Sequence, residues 1–133
     1  MIHHIQIKTG ARVEFQDVTR RVMDIIASST IDSGVCHIYV PHTTAAVLIN
    51  EHADPDVVAD IGAQLDLMVP ERGRYRHSEG NSPAHIKASL IGPLKAVFIE
   101  DGRLQLGTWQ GIFFCEFDGP RNRTLMVKIV PDC

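Results

Sequence analysis

Apolar and polar positions alternate along most of the chain, which is the pattern of half-buried β-strands. The passages that read as strands are residues 2–7, 12–16, 34–50, 94–100, 103–106, 111–117 and 125–130. Thr9 and Gly10 form a turn signal between the first two, so we predict an opening hairpin. Proline removes a ladder hydrogen bond, and we therefore expect Pro41 to break the longest passage and to leave His42 at the break.

Helical spacing of apolar residues appears in two longer segments and one short one. Val18, Val22, Ile25 and Ile26 predict a first helix that is capped by Asp17. The second helix has a clear start, because Asp54 can cap it and a proline follows at the first helical position; its predicted buried face is Val57, Val58, Ile61, Leu65 and Met68. A third, short helix is predicted over 84–90, after another serine–proline start signal.

Strand hairpins combined with a few helices predict an α+β fold, an antiparallel β-sandwich with two main helices and a short third helix. The segment from Ile112 to Phe117 is apolar on both faces as far as Glu116, which favours a sandwich or a sheet that another subunit covers. A length of 133 residues predicts a single domain, residues 1–133.

Composition narrows the classes of function. The net charge of -3 argues against a nucleic-acid-binding protein, which usually carries a basic excess. No signal peptide or apolar run of membrane-spanning length is present, so we expect a cytoplasmic protein without a membrane partner. Cys36, Cys115 and Cys133 have no metal-type spacing, and the first two lie in apolar runs where a thiol behaves as a small hydrophobe.

The segment from Tyr75 to Leu90, YRHSEGNSPAHIKASL, carries more candidate ligands and proton carriers than a connection needs. It contains His77 and His85, and His85 falls in the first turn of the short helix. Together with His42, three imidazoles and a water would form an open zinc-type site. Their spacing matches no strong metal motif, so a structural role for each histidine remains the alternative.

Other polar residues are candidates for a pocket because the local backbone does not require them. Glu51 and Glu79 are such carboxylates, whereas Asp54 and Asp118 are explained as a cap and a turn residue. Trp109, between two glycines in LGTWQG, is either a core residue or a stacking surface for a planar ligand. Arg121 and Arg123 lie on a turn and have the guanidinium groups that bind phosphate or carboxylate.

Three blocks together resemble the YjbQ family, UPF0047: HTTAAVLINEHADPDV from His42, HSEGNSPAHIKASLIG from His77, and DGRLQLGTWQGIFFCEFDGPRNR from Asp101. The resemblance covers nearly the whole chain, except that the stretch from Ile91 to Glu100 departs from the family pattern. It implies a β-sandwich fold, a homotrimer, and a histidine-lined site that can hold a metal. Positions that match its motifs are His42, Asn50, Glu51, His77, Glu79, Asn81, His85, Trp109, Gln110, Glu116 and Arg121.

The resemblance also implies thiamine-phosphate synthase-like activity, primary or secondary, which joins hydroxymethylpyrimidine diphosphate to thiazole phosphate. We expect His42, His77 and His85 to bind the metal, Glu79 and Glu51 to carry protons, and a second group to bind substrate: Asn50, Asn81, Trp109, Gln110 and Arg121. We expect a divalent metal ion and favour zinc because the ligands are three imidazoles, with magnesium as the alternative for a diphosphate substrate. The alternatives are a metal-dependent hydrolase and a non-catalytic trimeric protein that binds a metal or a small anion.

Overall fold

Eight strands and three helices make up the structure, a computed structural model that describes residues 1–133. In chain order the elements are β1 (Ile2–Lys8), β2 (Glu14–Asp17), α1 (Thr19–Ser29), β3 (Gly34–Tyr39), β4 (Ala45–Glu51), α2 (Pro55–Met68), α3 (Ser82–Ile91), β5 (Leu94–Glu100), β6 (Arg103–Leu104), β7 (Gln110–Glu116) and β8 (Asn122–Pro131). The strands form two antiparallel sheets, a five-stranded one in the order β1-β8-β3-β5-β6 and a three-stranded one in the order β2-β7-β4. The α+β prediction is confirmed.

The main core lies between the two sheets and α1. It holds alternate residues of the strands, as period-two patterning requires, together with the buried face of α1. Its members are Ile5, Ile7, Val18, Val22, Ile26, Cys36, Ile38, Val40, Ala45, Val47, Val97, Ile99, Ile112, Phe114, Leu125 and Val127. Cys36 and Ile38, which share one face of β3, are both fully buried. None of the three helices has the length and apolar run needed to cross a bilayer.

A second apolar cluster lies on the other face of the three-stranded sheet. There Leu65 of α2 and the small residues Ala84 and Ala88 of α3 pack against Phe113 and Cys115 of β7. Strand β7 is therefore buried on both faces, as its sequence predicts. Of the predicted buried face of α2, Leu65 is buried, Val58 and Ile61 are partly buried against this second cluster, and Met68 is exposed.

The prediction of an opening hairpin is wrong. Strand β1 pairs with β8 in the larger sheet, while β2 pairs with β7 in the smaller one. The segment between Thr9 and Val13 carries the chain from one layer of the sandwich to the other, which is a tertiary event that local turn chemistry does not encode. The N-cap residue of α1 is Val18 and not the predicted Asp17, although Oδ1 of Asp17 accepts hydrogen bonds from the backbone N–H and the hydroxyl of Thr19 in the first turn.

Several elements end at one end of the sandwich. The end of β3 at Tyr39, the start of β5 at Leu94 and the start of β8 lie side by side in the larger sheet. Ala45 of β4 lies opposite Glu116 of β7 in the smaller one. The predicted break at Pro41 is confirmed and lies at this end. The loops that leave these strands surround the candidate site.

Candidate functional site

An open pocket of about 670 Å³ lies at this end of the sandwich. Its walls come from the β3–β4 connection, the start of α3 and the β7–β8 turn. The lining residues are Tyr39, Val40, Pro41, His42, Thr43, Thr44, Glu79, Asn81, His85, Pro93, Asp118, Arg121 and Arg123. Most of them are polar, so the pocket suits a polar or charged ligand better than an apolar one.

Arg123 is the buried charge of the pocket wall. Its side chain is 6% exposed, and its Nε and Nη2 donate to the carboxylate of Glu116, which is fully buried. Nη2 also donates to the hydroxyl of Thr44 at 2.8 Å, and the hydroxyl of Thr9 donates to Glu116 at 2.8 Å. Burial alone would raise the pKa of Glu116, but the bonds from Arg123 and Thr9 outweigh it and hold that pKa below its ordinary value.

Three of the five guanidinium N–H groups of Arg123 point at Glu116 and Thr44 through Nε and Nη2. Nη1 donates no hydrogen bond within the protein. The only fully enclosed side-chain polar atom without a partner is Oδ1 of Asn81, so Nη1 of Arg123 is not sealed off from solvent. Because Arg123 lines the pocket, its free edge is available to a ligand there.

Arg121 is held at the rim by Asp118. Its Nε donates to the carbonyl of Asp118 at 2.7 Å and its Nη2 to the carboxylate at 3.0 Å, which leaves Nη1 free. Asn81 donates to the same carboxylate at 2.9 Å, which leaves its Oδ1 without a partner. Burial alone would raise the pKa of Asp118, but the hydrogen bonds from Asn81 and Arg121 outweigh it and hold that pKa below its ordinary value. This carboxylate therefore stays ionised.

His42 follows Pro41 at the strand break and is half-buried beside Arg123. Its Nε2 accepts a hydrogen bond from the backbone N–H of Thr124 at 3.0 Å. Desolvation by burial and then the nearby charge of Arg123 lower the pKa of His42. Since lowering the pKa of an imidazole favours its uncharged form, His42 is neutral at neutral pH.

His85, His77 and Glu79 form a second polar group at the mouth of the pocket. The rings of His77 and His85 meet edge to face with their centroids 5.3 Å apart. His77 Nε2 lies 3.7 Å from the carboxylate of Glu79, whose side chain is 74% exposed. His85 and Glu79 line the main pocket, whereas His77 lines a neighbouring depression with His85. His77 and Glu79 are therefore open to solvent at the pocket mouth.

The remaining predicted site residues lie elsewhere. Asn50 and Glu51 end β4 and pair with Gly111 and Gln110 of β7, at the end of the smaller sheet opposite to Ala45 and Glu116. A rise of about 3.3 Å per residue puts the two ends of this strand about 20 Å apart. Trp109 is 62% exposed there, so it is not a core residue. Within one chain, the structure does not bring this second group to the pocket.

The predicted three-histidine metal site does not fit the arrangement. No three side chains of histidine, cysteine, aspartate or glutamate are grouped so that they could hold a metal ion. The Nε2 lone pair of His42 is occupied by Thr124, and His77 faces a different depression from His42. A ligand set of this kind needs three free lone pairs that converge on one point, which these residues do not provide.

Two pocket residues have roles that the sequence pattern does not predict. Asp118 was explained as a turn residue, yet it fixes both Arg121 and Asn81. Thr44 belongs to the HTTAA block but had no assigned role, and it orients Arg123. The available signal was the charge alternation of EFDGPRNR, which places two carboxylates within reach of two arginines across a turn.

The thiols do not contribute to this chemistry. Burial raises the pKa of Cys36 to about 11 and that of Cys115 to about 12, so both are protonated at neutral pH. A protonated thiol is a poor nucleophile and a poor metal ligand. The prediction that these two cysteines act as small hydrophobes is confirmed by their places in the two apolar clusters.

Comparison with known proteins gives consistent matches over the whole chain. The profile of the family described as UPF0047 protein YjbQ-like matches residues 3–132. A UPF0047 protein of Methanocaldococcus jannaschii is 50% identical over 132 residues, which covers 99% of this chain and 96% of the relative.

Solved structures show the same fold. A YjbQ/UPF0047 protein from Clostridium acetobutylicum superposes with a TM-score of 0.94 at 49% identity and covers 96% of this chain and 99% of its own. A protein of unknown function from Sulfolobus solfataricus gives a TM-score of 0.95 at 32% identity, covering 99% of this chain and 97% of its own. The fold is therefore retained in relatives that differ at most positions.

Proposed function

The chain belongs to the UPF0047 protein YjbQ-like family, and from that premise we propose that its pocket binds a phosphorylated substrate and catalyses a thiamine-phosphate synthase-like transfer. The observation that carries the proposal is the free Nη1 of the buried Arg123. A buried arginine whose other nitrogens are fixed by Glu116 and Thr44 is preorganised, so binding an anion costs it little conformational entropy.

Charge in the pocket is balanced rather than strongly positive. Arg123 is paired with Glu116 and Arg121 with Asp118, while Glu79 stands on the exposed loop. What favours an anion is therefore the set of unused donors at fixed positions and not the net charge. Such donors stabilise charge that develops on a leaving oxygen, because they need no reorganisation during the reaction.

In the proposed reaction, the ring nitrogen of the thiazole phosphate forms a C–N bond with the methylene carbon of hydroxymethylpyrimidine diphosphate. The C–O bond to the diphosphate breaks, and its electron pair leaves with pyrophosphate. The free edges of Arg121 and Arg123, which both line the pocket, bind the departing oxygens. Glu79 and His85 line the entrance through which the substrates arrive.

A divalent cation belongs to the proposal as a companion of the diphosphate. Magnesium prefers oxygen ligands and is usually held by substrate phosphates with one or two carboxylates, of which Glu79 and Asp118 line the pocket. Zinc held by three histidines finds no support in the arrangement of the side chains. We therefore propose magnesium for catalysis and treat zinc as the weaker alternative.

The test is synthesis of thiamine phosphate in vitro by the purified protein, together with relief of thiamine dependence in a host that lacks its own synthase. Replacing Arg121 by alanine should lower kcat/KM at least about tenfold, because a hydrogen bond to a charged group is worth about 1.5–3 kcal/mol. Arg20→Ala, a change of an 86% exposed arginine on α1, is the matched control and should have no effect. No product from the unmodified protein in either experiment would reject the synthase.

A second candidate is a protein that binds a small anion without turnover, and the same free donors favour it. The two candidates differ in one measurement. If pyrophosphate binds to the unmodified protein and binds more weakly to Arg121→Ala, but no thiamine phosphate forms, the binding protein is the correct interpretation. Metal-dependent hydrolysis, a third possibility by sequence, would need the metal site that the side chains do not form.

We also propose that the chain forms a homotrimer through the outer face of the five-stranded sheet. Neither α2 nor α3 covers this face, and cross-strand rows on it are apolar: Val130 with Val35 and Phe98, and Met126 with Tyr39 and Leu94. Phe98 is 70% exposed and Leu94 is 50% exposed. The row between these two contains His37, Ala96 and Lys128, so the face carries two apolar patches. Exposed apolar patches of this kind mark interaction sites in soluble proteins. Tyr39 also lines the candidate pocket, so a second copy on this face would border the site.

A further inference from the structure

The hydrogen bond between Thr124 and His42 determines which nitrogen of the imidazole carries the proton. A backbone N–H can only donate, and that of Thr124 points at Nε2 of His42 with a distance of 3.0 Å. Nε2 must therefore be the unprotonated nitrogen. In the neutral ring the proton is then on Nδ1, because one nitrogen of a neutral imidazole is a donor and the other an acceptor.

The Nδ1–H group of His42 has no partner of its own. No side chain or carbonyl of the protein accepts a hydrogen bond from it, although the ring lines the main pocket and the adjoining depression beside His85. It is also not among the enclosed polar atoms without a partner, so it is open to a ligand. The ring is fixed through Nε2 by the backbone and its Nδ1–H group is free, so this donor is preorganised for an acceptor in the pocket.

We propose that His42 is a neutral hydrogen-bond donor that binds a phosphate oxygen of the ligand through Nδ1–H, and that it is not a metal ligand or a general base. The identity of the acceptor rests on the proposed function, which supplies a phosphorylated substrate. With the free edges of Arg121 and Arg123, His42 makes three donors that line the same pocket. A ring whose Nε2 is occupied and whose Nδ1 is protonated has no lone pair for a metal or for a proton.

The first test is the tautomer of His42 in the unmodified protein. Long-range ¹H–¹⁵N correlation spectra of protein labelled at histidine, at neutral pH, should show a protonated Nδ1 and an unprotonated Nε2 for this residue. Addition of inorganic pyrophosphate should shift the Nδ1 signal and leave Nε2 unprotonated. A proton on Nε2, or a His42 signal that does not respond while pyrophosphate binds elsewhere, would overturn the inference.

Three substitutions separate the two nitrogens. Asparagine places an amide N–H near the position of Nδ1 but cannot reach Thr124, glutamine can accept from Thr124 but lacks the Nδ1–H donor, and alanine lacks both. By calorimetry, His42→Gln and His42→Ala should bind pyrophosphate at least about tenfold more weakly, the equivalent of one hydrogen bond to a charged group. His42→Asn should stay within about threefold of the native protein, a difference below 1 kcal/mol. The opposite order, with glutamine tight and asparagine weak, would contradict the inference.

The outcome is distinguishable from failure of the synthase. If pyrophosphate binds through Nδ1–H but no thiamine phosphate forms, the proposed reaction is rejected and the role of His42 stands. If His42 carries its proton on Nε2 while thiamine phosphate is made, the inference fails and the reaction stands. Stoichiometric binding of Zn²⁺ that is abolished by His42→Asn would show that His42 is a metal ligand and would overturn the inference. An absence of pyrophosphate binding to the native protein would overturn it as well.

Discussion

His52 and Asp17 bridge two strands across the backbone of a third. The Nδ1 atom of His52, which follows β4, lies 2.8 Å from the carboxylate of Asp17, which ends β2, and β7 runs between those strands. The bridge passes over Gly111 of β7. A Cβ on this glycine would lie 2.4 Å from Cγ of His52 and 2.5 Å from its Nδ1. Only a residue without a side chain fits beneath the bridge.

Replacement of Gly111 by alanine should therefore lower the free energy of unfolding by about 1–3 kcal/mol, the usual cost of overpacking, because the imidazole must move and its bond to Asp17 is lost. Urea unfolding followed by circular dichroism measures this. Gly62→Ala, inside α2, is the control: its Cβ would meet Phe15 at an ordinary 4.0 Å, and the gain in helix propensity should stabilise the protein by up to about 1 kcal/mol. Equal effects of the two substitutions would contradict the steric argument.

The same bridge predicts a dependence on acid. Burial raises the pKa of Asp17, but hydrogen bonds from Thr19 and His52 outweigh it, so the pKa lies below its ordinary value of 3.8. A depressed folded-state pKa stabilises the protein above the unfolded-state value, and this contribution disappears as the pH falls through the folded-state pKa. Asp17→Asn should thus be less stable than the native protein at pH 7, and the difference should shrink below about pH 4. A constant difference across this range would reject the assignment.

At the scale of elements, α3 presents His85 and is anchored by a buried lysine. Lys87 is 1% exposed, and its Nζ donates to Asp66 of α2, which is 59% exposed. Glu71, in the connection between the two helices, lies 4.0 Å from the same ammonium group and also binds Arg12 at 2.6 Å. The lysine thus ties α3 to α2 and to the loop that leads to the pocket.

Lys87 is buried and Asp66 is exposed, so replacing one partner should cost more stability than replacing the other. Asp66→Ala leaves a buried ammonium group with only Glu71 as a distant partner and should cost on the order of 2 kcal/mol, as for an unsatisfied buried polar group. Lys87→Met keeps most of the volume and leaves Asp66 in contact with water, so it should cost less than about 1 kcal/mol. Thermal unfolding of both variants decides this; a larger loss for the buried lysine would refute the prediction.

Helix and strand positions could be predicted from the sequence because the signals are local. Asp54 and Pro55 define the start of α2, and Asp54 accepts a hydrogen bond from Asp56 in the structure. Pairing could not be predicted in the same way, since β1 joins β8 from the far end of the chain and the turn at Gly10 only suggests a hairpin. The third helix is longer than predicted, Ser82–Ile91, because Ser82 and Pro83 are themselves helical.

At the scale of the whole molecule, the structure brings half of the predicted site residues together. His42, Glu79, Asn81, His85 and Arg121 line one pocket. Asn50, Glu51, Trp109 and Gln110 lie at the opposite end of β4 and β7, and motif order along a chain carries no information about that distance. If the pocket residues and the residues at the opposite end of β4 and β7 serve one site, the latter must come from a neighbouring copy of the chain. About 20 Å separates the two ends of β4 within one copy.

The trimer proposal therefore has a direct test on the outer face of the larger sheet. A charge at the centre of an apolar interface is buried without a partner, which typically costs several kcal/mol and is enough to dissociate a trimer. Sedimentation equilibrium should give three times the 14.8 kDa of one chain for the native protein and one chain for Phe98→Glu. Leu67→Glu, on a 77% exposed residue of α2, should remain trimeric. A native protein that sediments as a single chain would reject the trimer. Asn50, Glu51, Trp109 and Gln110 would then not contribute to the pocket.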